Sequence, residues 1–197
     1  MLNHDAKPSK QLLIVDAAAD LICAHGVAGL TMSQLIKASG VSAGAIYHHF
    51  ENKNAIVAEV ARQAISWPLH ALAAFRDEAR SPSQLIEFSI NAVQAAPELG
   101  DLLLQLGAAA ATDDELGQLL HAEFVKLRDA LDDTMRAWAQ QNGVPSDLMD
   151  GRSQLYVGLV LGFITQRRLI SSFDEDEYLR YAKLCVEVTR EPADAHS

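Results

Sequence analysis

Residues 30–50 read LTMSQLIKASGVSAGAIYHHF. Within them GVSAG, residues 40–44, matches G-x-S-x-G, the pattern that in many hydrolases holds a nucleophilic serine on a sharp turn between a strand and a helix. That chemistry needs a buried strand before Gly40, marked by alternating or β-branched apolar residues. The stretch spells a helix instead. Thr31 is followed three residues on by Gln34, the capping-box spacing in which each side chain binds the other residue's backbone N–H. Met32, Leu35 and Ile36 then fall on one helical face, and Gly40 stands where a helix ends. Ser42 is placed to cap a second short helix, with Ile46 and Phe50, four residues apart, sharing a face. The pattern is helix, glycine turn, helix, which makes Ser42 a cap and not a nucleophile.

From Leu12 to Val57, and most sharply over GVSAGAIYHHFENKNAIVAEV, the sequence resembles the DNA-binding domain of the TetR (tetracycline-repressor) family of bacterial transcription regulators. The Gly40-Val41-Ser42 turn, the Ile46-Tyr47 pair, Phe50 and Lys53 stand at that family's spacing. Over the rest of the chain the resemblance is one of length and helical pattern. It implies a helix-turn-helix domain over residues 1–50 and a helical ligand-binding and dimerisation domain over 51–197. In a helix-turn-helix the second helix enters the major groove, which puts Ser42, Ala43, Gly44, Ala45, Tyr47, His48 and His49 on or near the groove-facing helix. The resemblance implies phosphate contacts for Thr31, Tyr47 and Lys53, and base-edge contacts for Ala43, Gly44, Ala45, His48 and Ser33. Ala43 and Ala45 depart from the family's usual long polar residue and threonine. Methyl groups touch a thymine methyl but make no hydrogen bonds. The alternative they keep open is a helical interaction module with weak or lost DNA binding.

Of the 197 residues, 49% are hydrophobic and 21% charged, a globular composition. The longest apolar run, Leu155 to Ile164, is too short to cross a bilayer, and no secretory segment opens the chain; a cytoplasmic protein is expected. Cys23 and Cys185 lie far apart and read as reduced thiols. His48 and His49 are neighbours on a helix and do not face each other, so no metal is expected, nor any cofactor. The net charge of −10 is unevenly placed. Residues 1–63 sum to zero, with Lys7, Lys10, Lys37, Lys53 and Arg62 against Asp5, Asp16, Asp20, Glu51 and Glu59. An acidic remainder repels DNA everywhere except at the neutral end.

Strand signals are nearly absent and apolar residues recur at three and four, which predicts an all-α chain of about nine helices. The expected helices run Lys10–His25, two around the glycine turn, and one from Asn52 through Pro68 to Ala79. A further helix opens at Ser81-Pro82, one starts at Pro97, and one reaches Asn142; the last two span Ser146–Ser171 and Asp174–Arg190. An enzyme built in such a bundle needs Glu-x-x-His ligands on facing helices, and that spacing does not occur. The large apolar groups Trp67, Phe75, Phe88, Leu102, Leu106, Phe124, Trp138, Tyr156 and Phe163 suit a cavity for a hydrophobic small molecule, with His70, His121 and Tyr156 to orient it. Gly158 and Gly162, four apart, allow another backbone close. With the resemblance, they imply a homodimer pairing the last two helices with their copies, through Tyr156, Gly158, Leu159, Gly162, Leu184 and Val188. The expected function is a repressor released from a palindromic operator on double-stranded DNA by a hydrophobic effector, with no catalysis and no membrane.

Overall fold

A computed structural model describes residues 9–74 and 80–188. These form nine α-helices and one short 3-10 helix, with no strand among the described residues: α1 (Lys10–Gly29), α2 (Met32–Ser39), α3 (Ala43–His49), α4 (Lys53–Ala74), α5 (Pro82–Ala95), α6 (Pro97–Ala110), α7 (Asp114–Gln141), the 3-10 helix (Ser146–Met149), α8 (Arg152–Leu169) and α9 (Glu175–Val186). The starts follow local chemistry. Ser9, Thr31, Ser42, Ser81 and Asp174 each accept a backbone N–H at a helix N-terminus, and Thr31 and Ser81 complete capping boxes with Gln34 and Gln84. Pro82 takes the first helical position of α5, where its missing N–H costs nothing.

Three expected boundaries shift. The break at Gly26 is present as φ 72°, ψ 168°, but helical turns resume to Gly29. The helix expected from Ser146 to Ser171 divides at Gly151, whose φ of 76° interrupts the ladder; the Asp150-Gly151 pair carries a turn signal that the apolar periodicity masks. The last helix ends at Val186 and not at Arg190. The Arg152 guanidinium donates to Val186 O (3.0 Å), supplying a partner for one of the carbonyls left open at that end. Pro68 lies within α4 as expected.

The chain forms two compact units. The first takes in the described residues up to Ala64 together with Asp101–Ala122; the second takes in Ile65–Gly100 and Glu123 onward. α4, α6 and α7 therefore each contribute to both, whereas a division at residue 50 follows only the end of α3. In the first unit Ile14, Ala18 and Ile22 of α1, Leu35 of α2, Ile46 of α3 and Ile56 of α4 are fully buried, and Leu106 joins the same class. α1 is long and apolar enough to cross a membrane by composition alone. Its buried stripe is the one a soluble core requires, and Asp16 and Asp20 stand on its other positions.

In the second unit α5 packs on α8 and α9, and α8 on α9. Phe163, Phe173 and Tyr178 form a ring cluster with centroids 5.4–5.6 Å apart. The Tyr178 hydroxyl donates to Leu159 O (2.7 Å) and lies 2.8 Å from where a Cβ on Gly162 would stand. Lys183 pairs with Glu87 (2.8 Å) and Arg167 with Glu175 (2.9 Å), while Gln94 donates to the second oxygen of that carboxylate. Such half-exposed pairs contribute about 0–1 kcal/mol each and act mainly on orientation.

Gly40 closes α2 with φ 66°, ψ 11°. No atom lies within 4 Å of a Cβ placed there, so the demand on this position is conformational and not steric. Gly40→Ala is expected to destabilise the protein by about 1–2 kcal/mol, the cost of the left-handed region for a residue with a Cβ. Urea unfolding reads this as a lower midpoint, and an unchanged midpoint would show that the turn relaxes without loss.

Candidate nucleic-acid interface

The turn between α2 and α3 is held by side chains adjoining it. Ser39 Oγ donates to Leu35 O (2.7 Å) and accepts Val41 N–H (3.2 Å), and Val41 is buried. Ser42 Oγ accepts Ala45 N–H (3.4 Å) and starts α3. Because Ile46 is fully buried and Phe50 nearly so, the helical period turns the opposite face of α3 outward. That face carries Ser42, Ala43 and Gly44 at its first turn and Tyr47, His48 and His49 at its last, all exposed; Ala45 is half-buried. Tyr47 is 55% exposed, and the His48 and His49 rings lie edge to face with centroids 5.4 Å apart. The small residues leave the start of α3 flat, and no neighbour occupies the space beside Gly44. An element entering a groove needs such a surface if its backbone is to approach the base edges.

Around α3 stand the other expected contacts. Ser33 is exposed in the first turn of α2. Thr31 is exposed, but both its donors are engaged by one atom: its N–H (3.1 Å) and its hydroxyl (2.6 Å) donate to Gln34 Oε1. Lys53 is the first residue of α4, beside Asn52, whose Oδ1 accepts Ala55 N–H (2.9 Å). A lysine at a helix N-terminus adds a mobile cation to backbone N–H groups that already favour an anion. Lys37, in the last turn of α2, is a further exposed cation that sequence spacing did not single out.

The expected ligand and interface residues are more scattered. Leu102, Leu106 and His121 belong to the first unit; His70, Phe88, Phe124, Trp138, Tyr156 and Phe163 belong to the second. Phe75 and the Trp67 side chain lie outside the described residues. Of the three polar groups expected to orient a ligand, His70 and His121 are exposed and only Tyr156 is buried. Its hydroxyl is already held: it donates to Leu85 O (2.7 Å) and bonds the Ser89 hydroxyl. Burial drives its ionisation far above the ordinary phenol range, the Ser89 bond opposing this only in part, so it stays neutral. No spacing in the sequence links Ser89 to Tyr156, 67 residues away. Tyr156 is thus an internal residue of its own protomer and offers no surface to a partner. Gly162 likewise meets Tyr178 inside the chain, while Gly158 is exposed with open space beside it. Leu159 and Val188 are half-buried and Leu184 is 56% exposed. Leu155, Leu169, Ile170 and Tyr181 are exposed as well, which leaves apolar surface on and around α8 and α9.

Three consecutive helices, the last of them exposed after a glycine turn, followed by further helices, define a helix-turn-helix protein. The sequence model described as "Bacterial regulatory proteins, tetR family" matches residues 14–60, the segment that holds the helix-turn-helix. It is 29% identical over 129 residues to the HTH-type transcriptional regulator BetI of Rhizobium meliloti, a match spanning 64% of each chain. It is 25% identical over 169 residues, 84% of this chain and 86% of the other, to the HTH-type transcriptional repressor Rv1474c of Mycobacterium tuberculosis. Its fold is shared with the transcriptional regulator FadR from Bacillus subtilis, solved in complex with stearoyl-CoA. There the TM-score is 0.73 at 18% identity, over 88% of this chain and 96% of that one.

The contrast between adjacent residues of α3 is open to measurement. Ile46→Ala empties a fully buried position and is expected to cost about 2–5 kcal/mol. Tyr47→Ala, on the exposed face, is expected to stay within about 0.5 kcal/mol of the parent. Comparable losses for the two in urea unfolding would show that this face is not the free one.

Proposed function

We propose that the protein is a homodimeric repressor that holds a palindromic operator with two copies of α3 and releases it on binding a small hydrophobic molecule. The observation that carries this reading is the exposed Ser42-to-His49 face of α3 over a buried Ile46 and Phe50. Residues 1–50 act as the DNA-reading part, and the remainder senses the effector and dimerises. Lys53 and Tyr47 bind phosphates, and Ala43, Gly44, Ala45 and His48 meet base edges. Thr31 acts chiefly through the capping box that fixes the start of α2, where Ser33 is free to reach the DNA. Two-fold symmetry sets the half-sites about one helical turn, roughly 34 Å, apart.

The repressor sense is supported by the name of the mycobacterial relative, and an apolar effector by the acyl-CoA bound to FadR. For release, the effector must bind the arrangement that does not fit DNA more tightly than the one that does. The exposed apolar residues around α8 and α9 support pairing with a second copy. Leu184 tests that contact better than Gly162, because any side chain at Gly162 first strikes Tyr178 within the same chain.

Fluorescence anisotropy with duplex DNA from upstream of the protein's own gene tests the docking. Lys53→Ala is expected to weaken binding about equally across sequences and to lower the salt slope by about one per half-site. Unchanged affinity at two salt concentrations would refute it. Leu184→Glu is expected to give monomer in light scattering and to lose operator binding; a wild type that is monomeric at micromolar concentration removes the dimer from the proposal. Hydrophobic compounds, stearoyl-CoA among them, are expected to release the DNA and quench tryptophan fluorescence. Release by small hydrophilic metabolites alone would overturn the choice of effector.

A further inference from the structure

The first turn of α3 carries almost nothing that forms a side-chain hydrogen bond. Ser42 is its cap, and the Ser42 oxygen is turned back to accept Ala45 N–H (3.4 Å), which leaves the Ser42 hydroxyl hydrogen as the one side-chain donor there. Ala43 ends in a methyl group and is exposed, Gly44 has no side chain and is exposed, and Ala45 is half-buried. Tyr47, His48 and His49, the larger polar groups, come one turn later. In a helix-turn-helix the residues that read base edges are those at the N-terminal end of the groove-facing helix. Here that end offers the methyl group of Ala43 and, beside it, bare backbone.

The packing of the chain itself does not call for glycine at position 44. Positive φ occurs at Gly26, Gly40, Gly143 and Gly151, whereas Gly44 stands in regular helix. No atom lies within 4 Å of a Cβ placed on it, while the same test on Gly162 meets the Tyr178 hydroxyl at 2.8 Å and on Gly100 meets Ile164 at 3.1 Å. Glycine weakens a helix relative to alanine, so a helical glycine with neither a conformational nor a steric reason is free to serve a contact outside the chain. Gly107 and Gly158 also face open space, but of the three only Gly44 lies in the turn that helix-turn-helix geometry brings to DNA. Close approach of backbone to a base edge is the use that glycine permits. A side chain as short as that of Ala43 reaches a base only if the backbone comes close.

We infer that the first turn of α3 reads the 5-methyl groups of pyrimidines in the major groove, with Ala43 as the specificity-determining residue. Each base pair shows its own set of donors and acceptors in that groove, and thymine alone of the four ordinary bases adds an apolar group, its 5-methyl. A methyl side chain cannot sort donors from acceptors and gains only by taking another apolar group out of water. The half-site therefore holds a thymine opposite Ala43, and discrimination by hydrogen bonds falls to Ser42 and His48. Cytosine methylated at carbon 5 presents the same methyl group, so methylation of a cytosine at that position strengthens the site. This inference rests on the DNA-binding reading above and names the feature of the DNA that it recognises.

The test uses the full-length protein and the duplex it selects from a random pool, with binding read by fluorescence anisotropy. The half-site thymines are replaced one position at a time, in both half-sites, by deoxyuridine, which lacks only the 5-methyl group. At the position opposite Ala43 affinity is expected to fall by about 10-fold, the product of about fourfold for each methyl group withdrawn from contact. Cytosine and 5-methylcytosine placed there in turn are expected to differ by the same ratio, because they too differ by the methyl group alone. Ala43→Gly is expected to bring both ratios close to one and to leave discrimination at the other positions unchanged, a coupling that a structural role for Ala43 does not produce. Gly44→Ala fills open space, so the thermal midpoint of the free protein is expected to hold or rise while affinity for the duplex falls by about 10-fold or more. Ratios of one at every half-site thymine, or methyl effects that persist in Ala43→Gly, would overturn the methyl readout, and a lowered midpoint or undiminished affinity in Gly44→Ala would overturn the close approach it requires. In those cases sequence-specific binding to the selected duplex leaves the repressor reading standing. Failure to bind any duplex removes that reading and this inference together.

Discussion

The left-handed turn at Gly40 is the constraint on which the exposed face of α3 depends. Leu35 before it and Ile46 after it are both fully buried, so α2 and α3 each have a fixed inward side. The angle between them is whatever Gly40, at φ 66°, and the Ser39 hydroxyl allow. With that angle set, the 100° step of the helix leaves no choice about the rest. Ile46 and Phe50 go in, and Tyr47, His48 and His49 go out. A different turn conformation would rotate α3 and exchange an apolar face for the polar one. The exposed face is therefore a consequence of core packing, and its chemistry is whatever the sequence places on the positions that packing leaves over.

The second unit is held on other terms. The Phe163–Phe173–Tyr178 cluster joins α8 to α9, while Glu87–Lys183 and Gln94–Glu175–Arg167 link α5, α8 and α9 through exposed or half-exposed polar groups. The aromatic contact supplies cohesion, and the polar pairs select register. Leu155, Leu169, Ile170, Tyr181 and Leu184 remain exposed after these contacts are made. Charge adds to the asymmetry of the chain. Residues 1–63 are balanced and the remainder carries the whole net charge of −10, so attraction to a polyanion is confined to one end of the sequence.

The sequence by itself determined the elements whose signals are local. The capping boxes at Thr31 and Ser81, the caps at Ser42 and Asp174, the glycine turn at residue 40 and Pro82 at a first helical position all act over three or four residues. The bonds they describe close within one turn and need no distant partner, which made the helix count and the helix-turn-helix legible. Tertiary structure alone decided which residues of the body are used internally. Tyr156 suits a pocket or an interface by its position, yet Leu85 and Ser89 claim its hydroxyl. Gly158 and Gly162 look equivalent in the apolar run, yet one is open and the other meets Tyr178. Arg128 and Asp132 have the spacing of an ordinary ion pair and make none. In each case the outcome depends on a group on another element or on a neighbour's choice of rotamer. Apolar periodicity shows which way a side chain leaves its helix, but not what it meets there.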